Sequence, residues 1–518
     1  MPSWAVVPDA LRLADLLAAL SLTTDLAMGQ PPEKAIRSCV LATEIARHLG
    51  VAEPEVACVY YTTLLKHLGC TATLHEEARL FGPDDRGTRA VAERTDDADP
   101  RELLAFLRVV GRGSGLERVT FLARSVTAGK RTTGAIFRAI CEVATQMAER
   151  LRLGDDVAAA LYQTIERWDG KGAPQGLKGD DISLAARIAE PAAQAVIFHR
   201  IGGTDAALAM MDRRAGSMFD PTVVEAFRAV GPRTLQRLDD EDPWAEVLEA
   251  EPSSVRTVDA DRLEAVAEAF ADMTDLKTPF TLGHSSGVAA LATGAAERLG
   301  LADPDQIRLA ALLHDLGRTA VTIGIWEKSG RLTTTDWEQV RLHPYHTERI
   351  LLRSTALAPF ARTAAMHHER QDGTGYHRGA TAAEIPAAAR VVAVADAYQA
   401  MTQRRPHRAA LSSEEAAGAV LAMVADGVFD PECVHAVLET AGSSRVTARR
   451  VWPSGLTDRE VEVLRLVAGG SSNRQVATAL VISARTAEHH VQHIYGKIGV
   501  STRAAAAMFA MQHGLLRD

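Results

Sequence analysis

ALLHDLG (311–317) closes a longer run, IRLAALLHDLG, whose apolar residues recur at helical spacing and which ends on a neighbouring His-Asp pair. Downstream, HHERQDGTGY (367–376) brings a second histidine pair followed by a Gly-punctuated loop. The late aspartate, Asp396, lies in AARVVAVADAYQAM (388–401), which is again apolar at helical spacing. With His284 and His343 these residues make one candidate ligand set: His284, His314, Asp315, His343, His367, His368 and Asp396. Seven nitrogen and oxygen donors suit two hard-to-borderline divalent cations better than one tetrahedral zinc. Runs of this kind predict ligands carried on helices.

The surrounding chain repeats itself. DALRLADLLAALSLTTDL (9–26) parallels DADRLEAVAEAFADMTDL (259–276), and LLKHLGC (64–70) parallels LLHDLGR (312–318). ERWDGKGAPQG (166–176) parallels ERQDGTGYHRG (369–379), ISLAARIA (182–189) parallels IPAAARVV (385–392), and MFDPTVVEAF (218–227) parallels VFDPECVHAV (428–437). The order is kept throughout, which predicts a tandem duplication of one helical domain. The expected divisions are a first copy over 1–238, a linker over 239–258, a second copy over 259–442, a linker over 443–455, and a short module over 456–518. The first copy carries extra residues between Cys70 and Arg138. They include acidic ERTDDADPRE (93–102) and basic GRGSGLERV (111–119), both read as surface excursions.

Composition narrows the class. The 518 residues are 47% hydrophobic and 24% charged, in the range of a globular protein. Abundant alanine and few aromatics favour helices. A net charge of −9 argues against a chain that coats nucleic acid along its whole length, so any such binding belongs to one module. The five cysteines (Cys39, Cys58, Cys70, Cys141, Cys433) are scattered and form no CxxC pair, which fits a reducing cytoplasm. MPSWAVVPDALRLADLL has acidic residues and no basic n-region, unlike a signal peptide, and no apolar run reaches the length that crosses a bilayer.

On the motifs quoted, the second copy resembles the HD-GYP branch of the HD-domain phosphohydrolases, over about residues 259–442. The resemblance implies metal ligation by all seven residues, with Asp315 bridging two cations that can clamp a phosphodiester. It implies catalytic roles for Asp315 and Arg318. It also implies substrate contacts from Arg318, Asp372, Gly373, Gly375, Tyr376, Arg405 and Arg408, with a cyclic dinucleotide such as cyclic di-GMP as substrate. The chain departs from the family pattern in four places. His377 stands where a proline would stiffen the loop. Arg318 replaces a lysine, keeping the charge but not the proton-donating ability. Gln399 replaces an acidic residue. Phe280 occupies the position where three-metal members carry a glutamate, which implies two metals here, iron or manganese by ligand type.

The same alignment empties the first copy. His284 corresponds to Lys34, His314-Asp315 to Lys66-His67, His367-His368 to Thr164-Ile165, and Asp396 to Ala193, while His343 falls near Cys141. An ammonium group repels a dication, so this copy is expected to bind no metal.

Residues 456–518 open with LTDREVEVLRLVAGG, where Thr457 and Glu460 form a capping box and Gly469-Gly470 stops the helix. Ser472 and Ser483 open two further helices joined by a tight VIS turn, a helix-turn-helix. The module resembles the LuxR-type DNA-binding domain, a four-helix unit. That resemblance makes 483–497 the recognition helix, with Glu488, His489 and Gln492 toward base edges and Arg474, Arg485, Lys497 and Arg503 toward phosphates. Seven Lys and Arg against five Asp and Glu leave the module only weakly cationic, so tight binding to promoter DNA calls for a dimer.

The chain is thus expected to be all-α: two tandem HD-type bundles, the first degenerate, and a LuxR-type module. The expected function is a cytoplasmic regulator whose metal-bearing copy hydrolyses a cyclic dinucleotide. Two alternatives stay open: a weakly catalytic sensor, and a phosphohydrolase of another nucleotide.

Overall fold

A computed structural model describes residues 11–110, 134–253, 255–443 and 452–516. The fold is all-α. Among the described residues the paired strands are two-residue pieces, Leu11–Arg12 antiparallel to Thr257–Val258. The described residues fall into two compact units, one within 11–258 and one within 259–516.

In the second unit, helix Ala260–Asp275 is capped by the Asp259 carboxylate, which accepts from Arg262 N. Helices His284–Arg298, Pro304–Leu313, Ala358–Ala365, Ala387–Thr402 and Pro431–Ser443 pack around one another. Small residues let them approach closely. A Cβ built on Gly287 would lie 2.4 Å from Gln399 Nε2, and one on Gly294 would lie 2.5 Å from Thr440 Cγ2. This is the packing use of the Ala- and Gly-rich sequence: backbones come near enough for candidate ligands on five segments to meet.

The first unit keeps the scaffold bonds that the duplication predicts. Arg187 donates to Asp220 Oδ2 at 2.9 Å, as Arg390 donates to Asp430 Oδ2 at 3.0 Å. Glu166 accepts from the backbone of Gln175, Gly176 and Leu177, as Glu369 accepts from that of Arg378 and Ala380. In each copy a buried glutamate ties down the DG-containing loop.

Two expectations need correction. Residues 239–258 are not a free linker. Helix Pro243–Glu249 buries Trp244 and Val247 within the first unit. Tyr60 and Tyr61 hydroxyls donate to Val247 O and Glu251 Oε1 at 2.9 and 3.1 Å, and Thr257–Val258 completes the strand pair. Its apolar residues at helical spacing seal the bundle. Nor is 93–102 a surface excursion. Glu93 and Asp96 are buried against Lys34 and Arg167, and Glu102 pairs with Arg214. The acidic run satisfies cations inside the fold. Residues 111–133 lie outside the described residues, as do 444–451 of the second expected linker.

The C-terminal module has helices Asp458–Ala468, Asn473–Leu480, Ala484–Ile498 and Arg503–Gln512. Capping boxes at Thr457/Glu460 and Ser472/Gln475 start the first two, and Ser483 caps the third. Residues 505–511 are buried without interruption, so both faces of the last helix are covered. One face packs on Asp458–Ala468, and helix Ala260–Asp275 also touches it. Gly470 lies against Pro279, and Gly283 against Leu516.

Candidate metal centre

His314 follows helix Pro304–Leu313, His343 opens helix His343–Leu351, and His367 follows helix Ala358–Ala365. Each donates Nδ1–H to the carbonyl three residues back: Ala311 O at 2.7 Å, Val340 O at 2.6 Å and Ala364 O at 2.6 Å. That bond fixes the tautomer and turns each Nε2 inward. His284 Nδ1 faces Gln403 Oε1 at 3.0 Å instead.

The inward atoms converge on Asp315. Its Oδ2 lies 3.3 Å from His314 Nε2 and 3.7 Å from His284 Nε2, while its Oδ1 lies 3.3 Å from His343 Nε2 and 3.6 Å from His367 Nε2. Asp396 Oδ1 closes one side at 3.0 Å from His284 Nε2, and its Oδ2 is 3.7 Å from His368 Nδ1. Three overlapping groups have metal-binding spacing: His284/His314/Asp396, His343/His367/His368, and His314/Asp315/His367, which joins the first two through Asp315. All but His368 are buried.

The donor set fits divalent cations. His314 Nε2 is buried with no hydrogen-bond partner, and His343 and His367 bring Nε2 atoms to 3.1 Å of each other. An unsatisfied buried nitrogen is costly unless something fills the space before it. Burial holds the His343 imidazole down to about 4 and lowers His284 and His368, the neutral form a metal ligand needs. Burial would lower His314 as well, but the two carboxylates outweigh it and raise the group to about 9.

The substrate-side residues divide. Arg318 donates to Asp315 Oδ2 at 2.6 Å and lies 4.2 Å over the Trp326 ring. Tyr376 stacks on His368 with centroids 4.2 Å apart, and burial pushes its phenol up to about 12, so the hydroxyl stays protonated. Arg405 donates to Phe280 O at 3.1 Å, and burial beside Arg318 brings it down to about 10. Arg408 instead donates to the carbonyls of Ala400 and Met401, at the C-terminus of helix Ala387–Thr402. Asp372 caps its own loop through Thr374, and Gly373 has φ 75. Gly375 packs so tightly on Glu369 that a Cβ would lie 2.6 Å from its Cα. These three shape the loop that presents Tyr376. Sequence reasoning missed Gln403, Glu369 and Trp326. Only the repetition of Glu166 at Glu369 carried a signal.

In the first unit the corresponding space holds an ion cluster. Lys34 pairs with Glu93 and lies 2.8 Å from His67 Nε2, while Lys66 meets Glu190 at 2.5 Å. The ammonium groups sit where the second copy has imidazoles, and both are neutralised by carboxylates: Glu93 from the inserted acidic run, and Glu190 from the helix that corresponds to the one carrying Asp396.

In the C-terminal module, Arg485, Glu488, His489 and Gln492 are exposed along one helix, and Arg474 is exposed on the helix before it. Lys497 and Arg503 do not face outward as phosphate ligands. Lys497 bonds Glu460 Oε2 and Gly455 O at 2.8 and 3.0 Å, and Arg503 bonds Val467 O and Ser471 O at 2.8 and 2.5 Å. Carbonyls at the C-terminal end of the first helix claim Arg503, while the Glu460 carboxylate in its first turn and the preceding Gly455 carbonyl claim Lys497.

Bundle and buried His/Asp cluster together define a metal-dependent phosphohydrolase. The HD domain family model matches residues 130–223 and 268–433, and that of the bacterial regulatory proteins of the luxR family matches 454–510. The chain is 31% identical over 443 residues to the 3'3'-cGAMP-specific phosphodiesterase 3 of Vibrio cholerae, covering 84% of this chain and 95% of that protein. It is 36% identical over 179 residues to a cyclic di-GMP phosphodiesterase of Pseudomonas aeruginosa, covering 34% of this chain and 43% of that protein. A crystal structure of a cyclic GMP-AMP specific phosphodiesterase of V. cholerae aligns with TM-score 0.58 at 28% identity, over 84% of this chain and 98% of that one. The chain belongs to the HD-domain family, in its HD-GYP branch, and ends in a luxR-family DNA-binding domain. No helix among the described residues is long and apolar enough to cross a membrane.

Proposed function

We propose that this chain is a cytoplasmic transcriptional regulator in which a dinuclear HD-GYP domain, 259–442, hydrolyses a cyclic dinucleotide and governs a LuxR-type DNA-binding head, 456–518. The first 238 residues are its degenerate copy, extended by the packed segment 239–258. The observation that carries the reading is the division of Asp315: one carboxylate oxygen faces His284 and His314, the other His343 and His367. A bridging carboxylate between two ligand groups is what a two-cation phosphodiesterase requires.

Two divalent ions, iron or manganese, would be held by His284, His314, Asp396 and Asp315 on one side and by His343, His367, His368 and Asp315 on the other. When bound they supply Lewis-acid polarisation of the phosphodiester and an acidified water. The chain's own groups do the rest. Arg318, steered by Asp315 and Trp326, and Arg405 balance phosphate charge. Tyr376 offers a protonated hydroxyl to a substrate oxygen. The product is a linear dinucleotide. The name of the relative that matches 84% of this chain favours 3'3'-cGAMP as substrate, with cyclic di-GMP second.

The regulatory half rests on the contact between the last helix of the DNA head and helix Ala260–Asp275, which leads into the His284 segment. Arg474, Arg485, Glu488, His489 and Gln492 would meet DNA as a homodimer. Purified protein with manganese or ferrous iron and each dinucleotide tests the enzyme. Linear product, lost in His314→Ala, is expected. Binding without product would make the domain a sensor, and neither would sink the cyclic dinucleotide reading. A shift of promoter DNA that disappears on deleting 456–518 tests the head.

A further inference from the structure

Gln403 follows helix Ala387–Thr402, the same helix that carries Asp396. Its amide is held at three points. Nε2 donates to Leu282 O at 3.4 Å, while Oε1 lies 3.0 Å from His284 Nδ1 and accepts from Arg405 Nη2 at 3.4 Å. The other three buried histidines use the carbonyl three residues back. His284 does not: the carbonyl three residues back, Thr281 O, accepts the backbone N–H of His284 at 2.9 Å, and the ring turns to Gln403. His284 opens its helix after Gly283, so no helical turn precedes it to supply another. A side chain from a different element must do what backbone does elsewhere.

We infer that Gln403 is the positioning residue of the metal ligand His284 and couples that ligand to the phosphate-binding Arg405 through one shared amide oxygen. The inference rests on the metal reading above. Donation of Nε2 to Leu282 O settles the amide orientation, so Oε1 must face the imidazole. Oε1 then accepts the Nδ1 proton and leaves the His284 Nε2 lone pair aimed between Asp396 and Asp315. Loss of this acceptor frees the ring to adopt the other tautomer, and weakens the cation group His284/His314/Asp396 without touching His343/His367/His368. Gln403→Met keeps the volume but has no oxygen, and Gln403→Glu restores an acceptor.

The test titrates metal-free full-length protein with manganese and reads free ion by its resonance signal. Wild type, Gln403→Met, Gln403→Glu and His314→Ala are compared, with unfolding of each metal-free protein as the control for folding. Gln403→Met is expected to weaken one of two manganese sites about 10- to 100-fold, with the other unchanged. Gln403→Glu should restore it, and the metal-free unfolding transitions should coincide. Wild-type affinity at both sites in Gln403→Met overturns the positioning role, as does equal loss in Gln403→Glu. Absence of manganese binding by wild type itself would overturn the metal reading and this role with it, an outcome distinct from the other two.

Discussion

Replacing Glu93 with glutamine should loosen the first bundle far more than its place in an acidic loop suggests. Lys34 and Glu93 leave only 4% and 3% of their side chains exposed, and Glu93 also accepts from Gln30 and His67. Burial would raise the Glu93 carboxyl, but Lys34 and His67 outweigh it and hold the group well below the usual carboxylate range. Lys66 keeps its own partner, Glu190, at 2.5 Å. Glu93→Gln therefore strands one buried ammonium, that of Lys34. Removing one member of a buried pair costs about 3–5 kcal/mol, because the remaining charge is neither hydrated nor compensated. Each 1.4 kcal/mol is about tenfold, so the slowest-exchanging amides of Leu13–Ala27 and Lys34–His48 should exchange at least about 100-fold faster. Hydrogen exchange read by peptide is the assay, since it reports this bundle apart from the metal-bearing one. Adding Lys34→Met should recover more than half of the loss, as the stranded charge is then gone. Exchange within about threefold of wild type in Glu93→Gln would refute the view that this cluster is a charge-compensated replacement for metal.

Asp25→Asn gives a pH signature in the same bundle. Burial raises the Asp25 carboxyl from 3.8 to about 7, so across that window the folded state keeps a proton that the unfolded chain has released, and stability falls as pH rises. Asparagine keeps an acceptor for Ala35 N and has no proton to lose, so the variant should gain about 4 kcal/mol on wild type between about pH 4 and pH 8 by chemical unfolding. A pH-independent difference would refute this. Gly375→Ala forces a Cβ to within 2.6 Å of Glu369 Cα, moving the loop that carries Tyr376. Turnover should fall on the order of 100-fold with metal content unchanged, as measured by product formation and elemental analysis. Val481 sits in the helix-turn-helix turn at φ 55 and is 91% exposed. Val481→Asn should stabilise the head by about 1 kcal/mol, seen as slower exchange in Asn473–Leu480. Arg485→Ala should weaken all DNA sequences alike and lower the salt slope by about one, whereas Gln492→Ala should relax sequence preference by about 1–3 kcal/mol in competition binding.

Much of the fold was legible because helix-period apolar runs and the repeat both lie in one dimension. The candidate ligands were legible for the same reason: the histidines and Asp315 stand at the end or start of such runs, and Asp396 lies within one. The failures share a cause as well. Glu93, Trp244 and Glu102 read as loop or linker residues because nothing in their local sequence shows the partners that await them far along the chain: Lys34 for Glu93, Glu33 for Trp244 and Arg214 for Glu102. Lys497 and Arg503 read as phosphate ligands because charge is visible in sequence, while the carboxylate and carbonyls that bind them in the fold are not.

Sequence by itself determined that this protein is a duplicated helical scaffold with seven donors in one copy, cations in the other, and a helix-turn-helix behind them. Periodicity, spacing and side-chain chemistry suffice for that. Only the tertiary structure decided which oxygen of Asp315 serves which histidines, that Gln403 stands behind His284, and that Lys34 meets Glu93 rather than a metal. Those choices depend on distances of a few ångströms between segments far apart in the chain. Helix packing sets those distances, and the order of residues does not encode them locally.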